Sequence, residues 1–514
     1  MEKLRKILVV VFALLCVFFA WEAYLQKRDK SAIESLAFFA WKTYQKHGGG
    51  DLTLLEAKEW GGQLQSLAGK TNRLIFIEMR PNGEPSSYEP SEKAEKILAY
   101  HYICVNLDKN YYPADYGVLK RIAQKDVNFA ILSPTAYPLF AATSLTPEGE
   151  SADWDARILA GVAWGYKQRK AETKNGIDVA LTKAGEDRKF SDIRGVFSEK
   201  RNTSEIANIR ALFVIDGWSE STAAFSENAR FAARVAASGS AFAKETAKIA
   251  NDKLLQQLKR DDLPLGEKLL LARALSEFTM LSDSDSARSE FLDFVLELTT
   301  LQREDGFFSN TDTVLLKDNA LALSVMSRAF KIFKDKKFKD SMDASIAALQ
   351  KKTENRPILP AVLQDANSKN PKSEAAALDY VLLARAYLDA YFADNKPKYL
   401  ELSKKSFAHL DEIFKDSVND GWFENSKKSI FAPFHYRVLN DSNYPSTMGE
   451  ALQILADTSS LNDNISRRLI TIISAYKFNV MPENFVDRAS VKLAMLANPM
   501  RASAPSMTLN AMNN

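Results

Sequence analysis

A rhythm of helical pairs limits this chain's fold more than any other feature. Apolar residues recur at helical spacing over Gly266–Leu281 and Ser286–Leu301, then Asp318–Phe333 and Phe338–Leu349. The pattern returns over Ala375–Ala393 and Lys398–Phe414, and again over Met448–Ala456 and Ile465–Ala475. Each pair closes across a short turn, whereas 302–317, 352–373 and 415–446 are long connections. Helical hairpins repeated every ~50–70 residues with alternating short and long loops fit a closed toroid or a solenoid. The alternation sends the long loops to one end, beside the starts of one set of helices. Function is expected there.

The first part of the chain follows a different rule. Leu74-Ile75-Phe76-Ile77 reads as a buried strand, broken by Pro81-Asn82-Gly83. A helix over Ser91–Ala99, a strand over Tyr102–Leu107, a helix near Tyr116–Gln124 and a strand-like segment from Pro138 to Leu145 follow. Helices are also expected over Lys30–Lys46, ended by His47-Gly48-Gly49-Gly50, and around Leu54–Leu67. Strands alternating with short helices give an α/β domain. Lys167–Ser204 is charged and poor in large apolar residues, which reads as a linker.

At the start, Lys3, Arg5 and Lys6 precede the uncharged run Ile7–Trp21. That is an export signal, without a small-residue cleavage site and a little shorter than the ~20 residues usual for a span. It is expected to act as an uncleaved anchor over residues 7–25 with a cytoplasmic N-terminus. The remainder then lies extracytoplasmically, on the periplasmic side of the inner membrane in a Gram-negative cell. The expected division is anchor 1–28, α/β domain 29–165, linker 166–203, toroid 204–499 and disordered tail 500–514.

Lys plus Arg (68) against Asp plus Glu (65) leaves +3, which argues against nucleic acid as a partner. A carbohydrate or a protein is left open as partner. The two cysteines, Cys16 in the apolar run and Cys104 in a strand, do not suit each other as a disulfide. No phosphate-binding loop or Cys/His metal spacing appears, so neither metal nor cofactor is expected.

Were a toroid of this kind to process glycans, it would need acids at its pore. Asp318 reads either as a helix cap or as such an acid, and Asp379 lies one turn inside its helix. Of four histidines only His435, in Phe434-His435-Tyr436-Arg437 shortly before Asp441, is placed for chemistry. Asp318, Asp379, His435 and Asp441 are therefore the catalytic candidates. Asn319, Tyr380, Trp422, Arg437, Tyr444 and Ser446 are the ligand-binding candidates. Trp422-Phe423 serves either sugar stacking or loop packing.

Leu74–Ile77, Ala94–Leu98 with Ile103–Asp108, Tyr112-Pro113-Ala114-Asp115, Tyr137-Pro138-Leu139 and Leu145–Gly149 together resemble segments of the spermatogenesis-associated protein 20 family. Further along, the matching elements are Leu316–Leu321, Ala377–Tyr380 with Tyr399–Glu401, Asp420–Phe423 and Asp441–Ser446. The resemblance implies a thioredoxin-like domain followed by an (α/α)6 toroid, with Pro138 at a cis-proline position. It departs where the family carries Cys-x-x-Cys: here the turn is Arg80, Pro81, Asn82, Gly83 and holds no thiol, which thiol exchange requires. The expectation is therefore a binding or scaffold role at the envelope. The alternative is a carbohydrate-active enzyme, a glycoside hydrolase or a sugar epimerase. A thiol–disulfide oxidoreductase fits less well.

Overall fold

The computed structural model describes residues 62–168 and 221–496, together with 54–55 and Arg210. Interruptions fall at 82–85, 87, 124–125, 147–152, 238–239, 282–283, 367–372, 418–419, 427–428, 430, 432–434, 442, 460–462 and 476–488. The expected anchor, the helix over Lys30–Lys46, most of the linker, the tail, Asn82 and Gly83 lie outside the described residues. Within the described residues no helix is long and apolar enough to cross a membrane. The chain divides into two compact units, Met1–Lys109 with Leu119–Lys183, and Asn110–Val118 with Ala184–Asn514.

The first unit is built on a five-stranded sheet. Its strands are β1 (Leu54–Leu55), β2 (Leu74–Met79), β3 (Tyr102–Leu107), β4 (Phe129–Leu132) and β5 (Pro138–Ala142), in the order β1-β3-β2-β4-β5. β1 and β2 run parallel to β3, while β4 runs antiparallel to both β2 and β5. Helices α1 (Gly62–Thr71), α2 (Glu92–His101), α3 (Pro113–Ala123) and α4 (Trp154–Gln168) accompany the strands. Alternate residues Leu74, Phe76, Tyr102, Cys104, Phe129 and Ile131 turn to one face and meet Ile97, Leu98, Leu159 and Ala160 of α2 and α4.

Three expectations change here. The segment beginning at Leu54 opens as a strand instead of a helix. Phe129–Leu132 and Trp154–Gln168 add a strand and a helix that the sequence did not announce. Among the described residues no peptide bond is cis, so Pro138 does not take the cis-proline conformation. The Ser133–Tyr137 turn before it is closed by Ser133, whose hydroxyl accepts from Tyr137 N at 3.0 Å.

In the second unit, helices of odd and even number alternate in position. The odd ones are α5 (Thr222–Ala237), α7 (Leu265–Leu281), α9 (Leu316–Phe333), α11 (Ala377–Asp394), α13 (Thr447–Thr458) and α15 (Ala489–Leu496). Each packs on the next, and α15 packs back on α5, which closes a ring of six. The even ones, α6 (Ala241–Leu258), α8 (Asp285–Thr300), α10 (Lys336–Thr353), α12 (Pro397–Phe414) and α14 (Asp463–Ala475), lie against their odd partners outside that ring. Closure of the inner ring makes this an (α/α)6 toroid.

Short hairpin turns explain the pairing. α9 and α11 end alike, on Lys334 and Asn395 at φ 54°. Their cap amides donate to Phe330 O at 2.9 Å and Tyr391 O at 2.8 Å, an αL stop that reverses the chain at once. The long connections meet at the other end. β6 (Thr313–Leu315) of one pairs with β7 (Val362–Asp365) of the next. Ala377 N donates to Glu424 O at 3.1 Å, which ties the connection 415–446 to the start of α11.

The axis of the ring is filled by charge. Arg230 is ion-paired with Glu227 at 2.7 Å and Glu277 at 2.9 Å, and Arg273 with Glu227 at 2.6 Å and with Glu450. Arg234 reaches Glu277 at 2.8 Å, Arg328 bridges Glu277 and Asp389 at 3.3 Å each, and Arg385 joins Asp389 at 2.9 Å and Asp457. Five guanidinium groups thus match five carboxylates, drawn from α5, α7, α9, α11 and α13. Burial pushes the Glu277 carboxyl up, but Arg230, Arg234 and Arg328 together outweigh it and hold it well below the usual range. Burial alone would cost several kcal/mol per ion, so these charges persist only as a matched set.

Candidate functional site

The first turns of all six inner helices meet at the long-loop end. Thr222 of α5 donates to Glu267 of α7. Gly266 lies so close to α9 that a Cβ there would overlap Tyr444 Oη and Asp318 Oδ1. That position accepts no larger side chain without displacing the site. Asp318 accepts a 2.8 Å hydrogen bond from Tyr444 Oη, and Lys317 sets its ammonium 4.3 Å from the Tyr444 ring centroid. Glu267, Lys317, Asp318 and Tyr444 are each half-buried.

Asp318 is not a helix cap. The N-cap of α9 is Leu315, with no side-chain bond, and Asp318 lies in the first turn with its carboxylate turned to Tyr444. Burial raises its pKa, against the opposing pull of Lys317 and the Tyr444 hydroxyl. A half-buried acid with a raised pKa, oriented by a phenol, is equipped to hold a proton and release it to a ligand.

The other proposed acids are differently employed. Asp379 is buried and accepts from Ala376 N at 2.8 Å, which caps its own helix. Burial lifts it to about 6, opposed by Lys317 and the Ala376 amide, while Asp318 adds to the rise. Asp441 accepts from Ser446 N at 2.8 Å, Ser490 N at 2.9 Å and the Ser490 hydroxyl, fastening the last long loops to α13 and α15. Burial and then the nearby Glu227 raise it to about 7. Both therefore hold backbone in place. His435 stacks on Phe423 at 4.5 Å, and Arg437 covers the same ring at 4.3 Å while pairing with Asp416, not with Asp441. These two belong to the loop's own packing.

The ligand-binding candidates divide the same way. Asn319 is buried and exchanges bonds with Phe308, accepting from its N at 2.7 Å and donating to its O at 3.0 Å. Tyr380 accepts from Leu359 N at 2.7 Å and meets His409 and Phe414 edge-on. Trp422, at 1% exposure, donates to Asp411 at 2.8 Å under the Arg468 guanidinium, so it is no stacking platform for sugars. Ser446 caps α13, accepting from Gly449 N at 3.1 Å. Of the ligand-binding candidates, Tyr444 is the one whose side chain bonds Asp318.

Sequence reasoning missed Glu267, Thr222, Lys317 and Glu424. Glu424 is buried, receives Thr447 Oγ1 and Leu378 N (3.2 Å), and is pushed up to about 7 by burial. Only Lys317 carried a signal, as the residue beside Asp318. Among the described residues no group of three or more His, Cys, Asp or Glu is arranged to hold a metal.

In the first unit, the end of β2 carries Glu78, buried and receiving Ser86 Oγ at 2.9 and 3.0 Å, with Arg80 at 3.6 Å. Cys104 is a free buried thiol, pushed up to about 12 by burial. A thiol held in that state is no nucleophile.

No protein-family profile matches the chain, and no curated protein matches it in sequence. Solved structures are similar over somewhat more than half of its length. A glycoside hydrolase family 76 α-mannanase of Bacteroides thetaiotaomicron is 11% identical with a TM-score of 0.45, covering 59% of this chain and 96% of that one. A family 105 glycoside hydrolase of C. acetobutylicum is 9% identical with a TM-score of 0.47, covering 59% and 100%. A D-mannose isomerase is 9% identical with a TM-score of 0.45, covering 59% and 98%. The toroid here is established by the closure of its own inner ring.

Proposed function

We propose that the toroid is carbohydrate-active, with the open end of the inner ring receiving a glycan and Asp318 serving as proton donor. The observation that carries this reading is the half-buried Asp318 carboxyl, raised in pKa and oriented by Tyr444 Oη, at the point where six helix starts converge. A hydroxyl-rich ligand suits such a mouth, because Asp318, Tyr444, Glu267 and Lys317 offer donors and acceptors side by side. In this reading Asp318 gives a proton to a glycosidic or carbonyl oxygen, and Glu267, on the neighbouring helix, supplies the second carboxylate. In hydrolysis that proton goes to the leaving glycosidic oxygen as the C–O bond breaks, while Glu267 takes a proton from the attacking water. In epimerisation Glu267 removes the C–H proton while Asp318 protonates the adjacent carbonyl oxygen. The test is a panel of oligosaccharides assayed for new reducing ends and for epimerised products, with wild type and Asp318→Asn. Turnover lost in the variant supports the reading, and turnover unaffected by it removes Asp318 from its role. Binding without turnover returns the chain to a binding role at the envelope, which the structural employment of Asp379 and Asp441 favours.

The same proposal includes the rest of the architecture. The first unit is read as a thioredoxin-like domain without redox cysteines, supported by its strand order and by the Glu78–Ser86 pair that replaces thiol chemistry at the end of β2. The chain is read as a divergent relative of the spermatogenesis-associated protein 20 family, divided as the sequence suggests and held at the extracytoplasmic face by residues 7–25. Full-length protein should fractionate with membranes, and a chain starting near Ser31 should not. Recovery of the intact protein in the cytosol would sink the anchor.

A further inference from the structure

Lys317 takes no part in the proton transfer just described, yet it is fixed at the same mouth. Its ammonium rests 4.3 Å from the Tyr444 ring centroid, half-buried. Among the described residues no carboxylate forms an ion pair with it, although Asp318 and Asp379 are near enough to feel its charge. Neither acid is turned to serve it. Asp318 accepts from Tyr444, and Asp379 accepts from the Ala376 amide of its own helix. A lysine needed only for solubility would extend its head into water. This one carries three donors into a partly desolvated site and spends its charge on an aromatic face.

We infer that Lys317 is a specificity-determining residue that selects a carbohydrate bearing a carboxylate, a uronic acid, at the toroid mouth. The inference rests on the carbohydrate reading above and goes further by naming the substrate class. The carboxylate meets the Lys317 ammonium while ring hydroxyls meet Tyr444 and Asp318. The single Lys317 ammonium, set on the Tyr444 ring near Asp318, matches one negative charge.

The test uses the full-length protein and trisaccharides of galacturonate, glucuronate and mannuronate, each beside its carboxyl-reduced neutral form. Titration calorimetry should show at least one acid form binding about tenfold or more tightly than its reduced counterpart at low salt, with the ratio shrinking as salt rises. Lys317→Met should bring the ratio to about one, and Lys317→Arg should keep a preference for the acid form. Thermal midpoints of both variants check that folding is intact. Equal affinities in the wild type, or a ratio that survives Lys317→Met, overturns the inference. Tighter binding of an O-sulfated neutral trisaccharide than of any uronate also overturns it. Binding of neutral forms alone overturns the inference and leaves the carbohydrate reading standing. Failure of every glycan in this panel and the earlier one overturns both.

Discussion

Glu277 and Glu424 are both buried carboxylates of the toroid, 2% and 6% exposed, yet the fold holds them in opposite states. Glu277 faces three arginines and stays ionised far into acid. Glu424 faces a threonine hydroxyl, a backbone amide and the neighbouring Asp379, and burial lifts it to about 7. The same contrast separates the axis from the mouth as a whole. Along the axis each acid has a guanidinium partner. At the long-loop end Asp318, Asp379, Glu424 and Asp441 have hydroxyls, amides and one unpaired ammonium. A carboxyl without a counter-charge keeps its proton closer to neutral pH, which structural ion pairs do not need and proton transfer does.

The largest effect should come from breaking the axis. Glu277→Ala leaves three buried guanidinium groups short of a partner and should cost about 3–5 kcal/mol in denaturant unfolding. Glu424→Gln, equally buried, should cost about 1 kcal/mol or less because it replaces a carboxyl that is about half protonated near neutrality and has no buried cation to leave unpaired. Equal losses would erase the distinction drawn here. Next in size, Asp318→Asn should lower turnover roughly 100-fold or more, typical of a lost general acid, with an unfolding midpoint close to wild type.

A smaller effect separates the regions by pH. The mouth acids have folded pKa values raised above their unfolded ones. Their contribution is complete below about pH 4 and is lost as pH rises through about 6 for Asp379 and about 7 for Glu424 and Asp441. Glu277 and Asp389 are depressed, so their contribution is present above the unfolded pKa and lost as pH falls below it. Thermal scans of Glu424→Gln/Asp441→Asn should therefore decline less than wild type between about pH 4 and 7. Parallel curves would show that the two carboxyls do not titrate in that range. Smallest of all, Tyr444→Phe removes a hydrogen bond that lowers Asp318, so the upper limb of any pH–rate profile should move upward. A downward shift would mean that another group governs it.

The hairpins were legible because nothing competes with a run such as Leu378–Ala393, whose apolar residues outnumber its polar ones. The alternation of short and long connections then gave the end at which Asp318 and Tyr444 meet. Strand β1, two residues long, offers no periodicity to read, and β4 is a four-residue apolar run that a helix could equally contain. The axis was hidden for a different reason. Glu227, Arg230 and Arg234, or Arg385 and Asp389, lie three and four apart, the spacing of solvent-exposed pairs on a helix surface. Nothing local reveals that ring closure turns those faces inward. Glu267 was hidden likewise, since its role depends on Gly266 admitting Asp318 and Tyr444 from elsewhere in the chain.

The packing of α15 against α5 has a consequence for how the protein is made. The ring's first and last inner helices are separated by about 250 residues in sequence, from Ala237 to Ala489. At a synthesis rate of about 5–20 residues per second, α5 waits on the order of tens of seconds for the helix that covers it. Throughout that interval Glu227 and Arg230 must remain hydrated, and the apolar flank of α5 must be shielded by α6 and α7 or by a chaperone. A ribosome paused before Ala489 would therefore expose an open, charged cleft in the nascent chain, a state that a crosslinker or a protease added during translation would mark.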